Sequence, residues 1–259
     1  MRKNILGNID NHKGEGLVAF IDILGFSEEI LSNWNDPKND PLKKILNLKK
    51  NIPVQSDKNA PKVKLDKSFE RIYKCRIQTI SDSIVVSFGF NNNNLVYGDL
   101  VLGTITFFET IAVIWRNSLE SGYTIRGAVD WGEIYWDSKE IIGPAFITAY
   151  KLESTQAKSS RVIISSSFNR ELANIAKQYK TFWNDFILDC VYKDIDGYLI
   201  LNPHKLYDPD RKNDKNKIIE ILHDLQNKAK NLNKEKYNPI LAAMESPKIN
   251  ITNSDFGKY

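Results

Sequence analysis

The sequence predicts an α+β fold in which an antiparallel sheet is covered by helices. Its strand-like and helix-like segments follow the order β, α, β, β, α, β, α, β, α, with an insertion after the first helix. The first strand, Leu17–Ile21, is a run of five apolar residues, which favours a strand that is buried on both faces. A hairpin between two helices that cover one sheet is the ferredoxin-like arrangement.

Composition and charge argue against two kinds of binding partner and indicate the cellular compartment. The 36 basic and 32 acidic residues are interspersed and leave a net charge of +4, which argues against nucleic acid and against a membrane surface as partners. The two cysteines, Cys75 and Cys190, form neither a CxxC pair nor a disulfide framework. With no signal peptide at Met1, we expect a reducing, cytoplasmic compartment.

The chain divides into three predicted regions. Residues 1–15 are polar and are expected to be a frayed tail. Residues 16–165 form the predicted core domain, within which residues 35–66 are an insertion rich in lysine, asparagine and proline, with one short helix near Leu42–Leu48. Residues 166–259 form a predicted C-terminal extension that packs on the core.

The first strand leads into Asp22 and then into a glycine-containing turn. Ser27 is expected to cap the helix that follows, with Glu28 and Glu29 in its first turn. The free N–H groups of that helix would lie beside Asp22, where a phosphate and a cation could be held together. Alone, Asp22 is as well explained as a helix cap as by metal binding.

A hairpin follows the insertion. Two strand-like runs, Arg71–Ile80 and Ile84–Phe88, are joined by the tripeptide Ser81-Asp82-Ser83. Asp82 is therefore a second carboxylate at the end of an apolar strand. If the hairpin lies against the first strand, the two aspartates come together and offer the hard oxygen ligands that two divalent ions need.

The rest of the core alternates helices and strands. The apolar stretch from Leu95 to Leu119 predicts a long helix that ends at Gly122, and its most apolar part, Leu100–Trp115, is too short to span a bilayer. The remaining predicted core elements are the strand Tyr123–Ile134, the helix from Pro144 to about Ser154 and the strand Arg161–Ser165, after which Ser166 or Ser167 is expected to cap a helix.

The extension contributes fewer elements. Strands are predicted near Phe186–Leu188 and Tyr198–Leu201, followed by a helix from about Lys215 to Leu232. The apolar stripe of that helix is typical of packing or of a dimer contact.

Four blocks of sequence, in the same order, resemble the class III nucleotide cyclases. The run Phe20–Ser27 is similar to their phenylalanine-x-aspartate-isoleucine-x-glycine-phenylalanine-serine/threonine signature. Gln78–Ser83 resembles their lysine-threonine-isoleucine-glycine-aspartate hairpin, and Arg126–Glu133 resembles their arginine-x-glycine-x-histidine-x-glycine strand. Gly143–Ser154 resembles the helix that follows, and the resemblance covers about residues 16–165.

The resemblance implies a site for a nucleoside triphosphate and two divalent metal ions, Mn²⁺ or Mg²⁺. The implied metal ligands are Asp22, Asp82 and the carbonyl of Ile23. The implied phosphate contacts are the N–H groups of Gly25, Phe26 and Ser27 and the side chain of Arg126. The family builds its sites from two chains, which implies a homodimer.

Several positions depart from the family pattern. Ile147 stands where the family has an asparagine that orients the ribose, and Lys151 stands where it has an arginine that stabilises the transition state. Lysine keeps the charge but loses the planar fork. The two base-reading positions hold Gln78 and Glu140, which match neither the adenylate nor the guanylate cyclase pair.

Together with the run Arg161–Ser165, this combination looks most like the cyclases of bacterial Pycsar anti-phage systems. The resemblance implies synthesis of cyclic UMP or cyclic CMP, which would act on a separate effector protein. Three other readings remain: a cyclase-like module that binds nucleotide without turnover, an adenylate or guanylate cyclase, and a nucleic-acid polymerase relative. The last would need a basic groove that the interspersed charges do not supply.

Overall fold

A computed structural model describes most of the chain. It covers residues 11–38, 40–52, 73–90, 97–178, 187–229, 231–246, 251–252 and 255–256. Residues 53–66 of the predicted insertion and residues 1–10 of the predicted tail lie outside this set. The division into tail, core and extension stays a prediction.

The described elements follow the predicted order. The strands are β1 His12–Leu24, β2 Tyr73–Ile80, β3 Ser83–Phe90, β4 Thr124–Trp136, β5 Ile141–Ile142, β6 Val162–Ile164, β7 Val191–Lys193 and β8 Leu199–Leu201. The helices are α1 Phe26–Asn33, α2 Pro41–Asn51, α3 Tyr97–Glu120, α4 Pro144–Gln156, α5 Ser166–Gln178, α6 (residues 187–190), α7 Asp214–Lys228 and α8 Asn238–Glu245. Among the described residues, 3₁₀ helices span Pro203–Leu206 and Asn231–Tyr237.

One sheet connects all of these strands in the order β2-β3-β1-β4-β6-β8-β7, with β5 paired to β4. Strand β1 is antiparallel to both β3 and β4, whereas β4 and β6 run parallel. The order β4-β1-β3-β2 is that of the ferredoxin-like unit, so the predicted α+β arrangement is confirmed. Strand β8 continues the same sheet by pairing with β6.

The two faces of β1 bury different partners because successive side chains of a strand point to opposite sides. Leu17, Ala19 and Ile21 belong to the large apolar cluster that also contains the core residues of α3. Val18 belongs to a smaller cluster with Ala149 of α4. Even-numbered positions of β1 therefore face α4, and Asp22 ends that series.

Helix α3 forms the centre of the larger cluster. It is 24 residues long, and Phe107, Ile111 and Trp115 are fully buried. Its segment Leu100–Glu120 is long and apolar enough to cross a membrane, but 56% of the apolar 18-residue stretch within it is buried inside the protein, as in an ordinary core helix. The predicted length argument is therefore wrong, since the helix exceeds the predicted apolar part at both ends.

Three local predictions are also corrected. Strand β1 begins at His12, inside the predicted tail and five residues before the predicted apolar run that starts at Leu17. Residues 187–190 are helical, not a strand, because a short apolar run fits either structure. Helix α5 begins at Ser166, so its cap is Ser165, whose Oγ accepts a hydrogen bond from the N–H of Phe168 at 3.0 Å.

The start of α4 depends on one glycine. Gly143 has φ +152°, and a Cβ there would lie 2.5 Å from the backbone oxygen of Glu133. Pro144 follows at the first helical position, as predicted. Strand β4 and α4 are thus held in close contact, which positions the side chains described next.

Candidate active site

Asp22 lies near the end of β1, between two neighbouring strands. Its backbone pairs with Ser83 of β3 on one side and with Arg126 of β4 on the other. The side chain is 18% exposed and points to the α4 face of the sheet. This pairing puts a partly buried carboxylate next to the turn of the β2–β3 hairpin.

Asp82 lies at that turn, as the hairpin motif predicts. The turn consists of Ser81 and Asp82, and Ser81 has a positive φ of 52°. The backbone oxygen of Asp82 accepts a hydrogen bond from the N–H of Ile23 at 3.2 Å. The structure therefore brings the two aspartates together at adjacent strand ends, with the Ile23 peptide between them.

Arg126 connects Asp22 to a third carboxylate. Its Nε lies 3.0 Å from Oδ2 of Asp22 and 3.0 Å from Oε1 of Glu153 on α4. The Nε–H donates a hydrogen bond to Asp22. Within the described part of the chain, the two terminal amino groups of Arg126 make no hydrogen bond, so the fork that binds phosphate oxygens is uncommitted.

The electrostatics of this cluster favour a further cation. Burial raises the pKa of Asp22, an effect that Arg126 opposes and Asp82 reinforces. Burial also raises the pKa of Glu153, an effect that Arg126 and Lys158 oppose and that Asp22 and Asp82 reinforce. Arg126 contacts two of these three carboxylates, Asp22 and Glu153, and the crowding of negative charge around them favours a cation.

The donor set therefore suits Mg²⁺ or Mn²⁺, which prefer carboxylate and carbonyl oxygens. The residues that would hold the ions are Asp22, Asp82 and the Ile23 carbonyl. Among the described residues, no three acidic, histidine or cysteine side chains are already grouped as metal ligands. The carboxylates suit the ions chemically, and Asp22 also accepts a hydrogen bond from Arg126.

The predicted phosphate contacts lie at the start of α1, two residues after Ile23. Gly25 has φ 84°, and its Cβ position is open, with no atom within 4 Å. Helix α1 starts at Phe26 and has no side-chain cap, so the prediction that Ser27 caps it is wrong. The N–H groups of Phe26 and Ser27, at the first two positions of the helix, lack intrahelical partners and can bind an anion.

The two predicted base-reading residues are joined by an arginine that the motif comparison did not single out. Arg76 donates from Nη2 to Oε1 of Gln78 at 2.8 Å and from Nη1 to the backbone oxygen of Glu140 at 2.7 Å. Arg76 is 7% exposed, and its position two residues before Gln78 on β2 puts both side chains on one face. That alternation was the signal available in the sequence.

Lys151 and Ile147 lie on a different side of α4 from the cluster. Ile147 is 49% exposed, and Lys151 is exposed one turn further on. Two residues along a helix correspond to about 200° of rotation, so Lys151 faces away from Glu153 and from Arg126 of its own chain. The structure therefore does not bring Lys151 to Asp22 within one chain.

Glu153 is the site residue that sequence reasoning missed. It appears in the sequence only as part of Leu152-Glu153-Ser154 at the end of a helix. The helical repeat places Glu153 on the buried face of α4, where a glutamate is rare unless it is paired with a cation. This expected burial is the only feature of the sequence that could have indicated a role for Glu153.

Comparison with known proteins gives distant matches. No family model matches the sequence, and no curated protein does. The monomeric guanylyl cyclase domain of the RhoGC fusion protein from Blastocladiella emersonii is 17% identical, with a TM-score of 0.40, over 75% of this chain and 98% of that one. The catalytic core of a rhodopsin-guanylyl cyclase with converted specificity, in complex with ATPαS, is 16% identical, with a TM-score of 0.40, over 74% of this chain and 98% of that one.

A class III adenylyl cyclase-like ATP-binding protein from Pseudomonas aeruginosa is 13% identical, with a TM-score of 0.39. That match spans 64% of this chain and 37% of the other. Similarity at this level says nothing about activity, so function has to be inferred from the residues of this chain.

Proposed function

We propose that this protein is a nucleotide cyclase that converts a nucleoside triphosphate to a 3′,5′-cyclic nucleotide and pyrophosphate. The observation that carries the proposal is the meeting of Asp22 and Asp82 at adjacent strand ends beside Arg126 and the open N-terminus of α1. Carboxylates, an uncommitted guanidinium fork and free N–H groups are the parts that hold a triphosphate with its metal ions.

The groups gathered at this site have separate tasks in the reaction. The first-turn N–H groups of α1 and the fork of Arg126 bind and orient phosphate oxygens, which holds the α-phosphate for in-line attack. Asp22, Asp82 and the Ile23 carbonyl hold two divalent ions. When bound, these ions neutralise the triphosphate and lower the pKa of the attacking 3′-hydroxyl.

We infer that the active form is a homodimer. Lys151 faces away from Asp22 of its own chain, so it can reach a triphosphate only on a second copy. Large apolar side chains are exposed on β2 and α4, which carry Gln78 and Lys151, and on β5, which follows Glu140, as is typical of a surface that a partner covers. They are Ile80 at 58%, Ile142 at 53%, Ile147 at 49% and Tyr150 at 50% exposure.

The proposed substrate is a pyrimidine nucleotide, UTP or CTP. Arg76 donates to the Oε1 of Gln78, which leaves the amide NH₂ as the group that Gln78 presents to a base. With the exposed carboxylate of Glu140, this provides one donor and one acceptor, which matches uracil and cytosine equally. The preference for pyrimidines over purines rests on the resemblance of Gly143–Ser154 to the Pycsar cyclases.

On the same basis, the product would be a second messenger in anti-phage defence, made in the cytoplasm. Its partner would be a separate effector that responds to the cyclic nucleotide. No direct contact between the two proteins is required.

The test is an assay with each of the four ribonucleoside triphosphates and Mn²⁺, with cyclic product and pyrophosphate measured. We expect product from UTP or CTP and none from the Asp22→Ala variant. The matched control is Asp224→Asn, which changes an exposed aspartate paired with Lys228 on α7 and should leave turnover unchanged. Product from ATP or GTP alone would correct the substrate.

A second candidate function is a nucleotide-binding module without turnover. Ile147 favours it, because an exposed isoleucine at the position where a ribose-orienting asparagine is expected cannot hydrogen-bond a ribose. Nucleotide binding by calorimetry without cyclic product from any of the four nucleotides would support this module over the cyclase.

A further inference from the structure

Glu153 is a buried carboxylate that the proposed reaction has not yet used. It lies on α4, is 3% exposed, and no hydrogen-bond partner is found for its Oε1. Burying a carboxylate without hydrogen bonds is costly, so this group calls for a physical explanation. Its nearest opposite charge is Arg126, whose Nε lies 3.0 Å from Oε1.

The geometry at Arg126 explains why Glu153 lacks a hydrogen bond. The Nε atom carries one hydrogen, and both Asp22 Oδ2 and Glu153 Oε1 lie 3.0 Å from it. The hydrogen is donated to Asp22. Glu153 is thus a second acceptor at the same distance, beside a donor that is already occupied.

This competition matters because Asp22 is also a proposed metal ligand. An oxygen that binds a divalent ion is a poor partner for a guanidinium, since the two cations repel each other. Metal binding by Asp22 therefore requires that its hydrogen bond from the Nε–H of Arg126 be broken. Without another acceptor, the arginine would lose its only anchoring hydrogen bond among the described residues at the moment when its fork has to bind phosphate.

We propose that Glu153 is a positioning residue that takes over the Nε–H of Arg126 when Asp22 binds a metal ion. The shift moves one hydrogen bond between two acceptors at equal distance, so the guanidinium stays in place with its terminal amino groups free. Glu153 then gains the hydrogen bond that its Oε1 lacks while Asp22 accepts the Nε–H. The inference rests on the proposed metal site, but it assigns a function to a residue outside that site.

The first test measures Mn²⁺ binding to the free protein, without nucleotide, from the electron paramagnetic resonance signal of unbound Mn²⁺. Glu153→Gln keeps the size of the side chain but offers only a neutral acceptor to the arginine. We expect its dissociation constant for Mn²⁺ to rise about fivefold, because Arg126 leaves Asp22 less readily. Glu235→Gln, which removes an exposed charge of the 3₁₀ helix Asn231–Tyr237, is the matched control and should bind as the unmodified protein does.

A double-mutant cycle separates this role from simple attraction between Glu153 and the ion. Arg126→Met removes the guanidinium, and in that background Glu153→Gln should no longer weaken Mn²⁺ binding. The same fivefold loss in both backgrounds would overturn the proposal, as would no loss in the single variant. If the unmodified protein does not bind Mn²⁺, or if Asp22→Asn leaves Mn²⁺ binding unchanged, both the metal site and this inference are wrong.

A second measurement uses the unmodified protein and does not depend on a folded Glu153 variant. The Nε–H resonance of Arg126 can be followed with ¹⁵N-labelled arginine and assigned with Arg126→Met. On saturation with Mg²⁺ the resonance should shift but remain protected from exchange with water. Loss of the resonance by rapid exchange would show that the arginine is released, which contradicts the proposal.

Discussion

Two arginine–carboxylate clusters in this protein use the same groups in opposite ways. On α3, Arg116 donates from Nη1 to Oδ2 of Asp214 at 2.6 Å and from Nη2 to Oδ1 at 2.9 Å, so its fork is fully engaged. Arg126 engages its carboxylates through Nε alone. Both terminal amino groups of Arg116 are therefore bound to Asp214, whereas those of Arg126 remain able to bind a ligand.

The pKa directions of the carboxyl groups express this difference. The Arg116 guanidinium, with a hydrogen bond from the N–H of Asp208, holds the pKa of Asp214 well below its usual range. Burial raises the pKa values of Asp22 and Glu153, and Arg126 offsets this only in part. A carboxylate that its surroundings satisfy stabilises the fold, whereas one that they do not satisfy is available to a ligand.

The largest effect is expected from the two proposed metal ligands. Asp22→Asn and Asp82→Asn should each lower cyclic-nucleotide formation by about 10³-fold or more, because several kcal/mol of charge stabilisation are lost. Asp214→Asn should leave the rate per folded molecule within about twofold. Initial rates with Mn²⁺, corrected for the folded fraction by circular dichroism, provide the measurement. If the Asp22 and Asp214 variants lost equal fractions of the rate per folded molecule, the two clusters would not differ in function as proposed.

The next effect is expected from Arg126. Arg126→Met should lower kcat by about 10²- to 10³-fold, as is usual when one donor to transition-state charge is removed. The same variant should bind Mn²⁺ more tightly, because Asp22 loses its competing cation. Steady-state kinetics and Mn²⁺ titration on one preparation test both parts. Weaker Mn²⁺ binding would mean that Arg126 supports the metal site and does not compete with it.

Asp214→Asn should act on stability. Breaking the charged hydrogen bonds to Arg116 is expected to lower the free energy of unfolding by about 2 kcal/mol at neutral pH. Because the folded-state pKa is lowered, the contribution is fully present above the ordinary aspartate value of 3.8 and is lost as the pH falls through the folded-state pKa. Urea unfolding at about pH 7 and about pH 3 should therefore show the difference from the unmodified protein narrowing in acid. A difference that is constant with pH would contradict the ionic origin of the effect.

How far each cluster could be predicted from sequence follows from how its contacts are encoded. Asp22 and Asp82 each end an apolar strand, so local patterning together with a hairpin was enough to predict that they meet. The pairs Arg116–Asp214 and Arg126–Glu153 join residues on distant elements without a local pattern. Their partners are fixed by helix packing, and the same holds for Arg76, whose role depends on the position of the Glu140 backbone.

The fold shows the same division. The hairpin, the long helix and the order of the core elements follow from the spacing of apolar residues and from the turn residues. These predictions are confirmed. Residues 187–190 are helical where a strand was predicted, because four residues carry too little period to separate the two structures. Caps were misplaced by one or two residues, as at Ser27, because the first residue of a helix depends on backbone angles that the sequence only biases.

The smallest expected effect concerns Lys151, which lies on the open side of α4 and belongs to neither cluster. Lys151→Arg should raise kcat by less than about tenfold, because the planar fork can bind phosphate oxygens in pairs where the ammonium binds them singly. Lys151→Met should lower kcat with little change in Mn²⁺ binding, because the residue faces away from Asp22 of its own chain. Mixing the impaired Lys151→Met variant with the inactive Asp22→Asn variant tests this further. If sites combine two chains, each mixed dimer contains one intact site, and the mixture should gain up to about a quarter of the unmodified activity above the residual activity of Lys151→Met. Recovery without dimer formation, or no recovery in verified mixed dimers, would show that Lys151 serves no site across an interface.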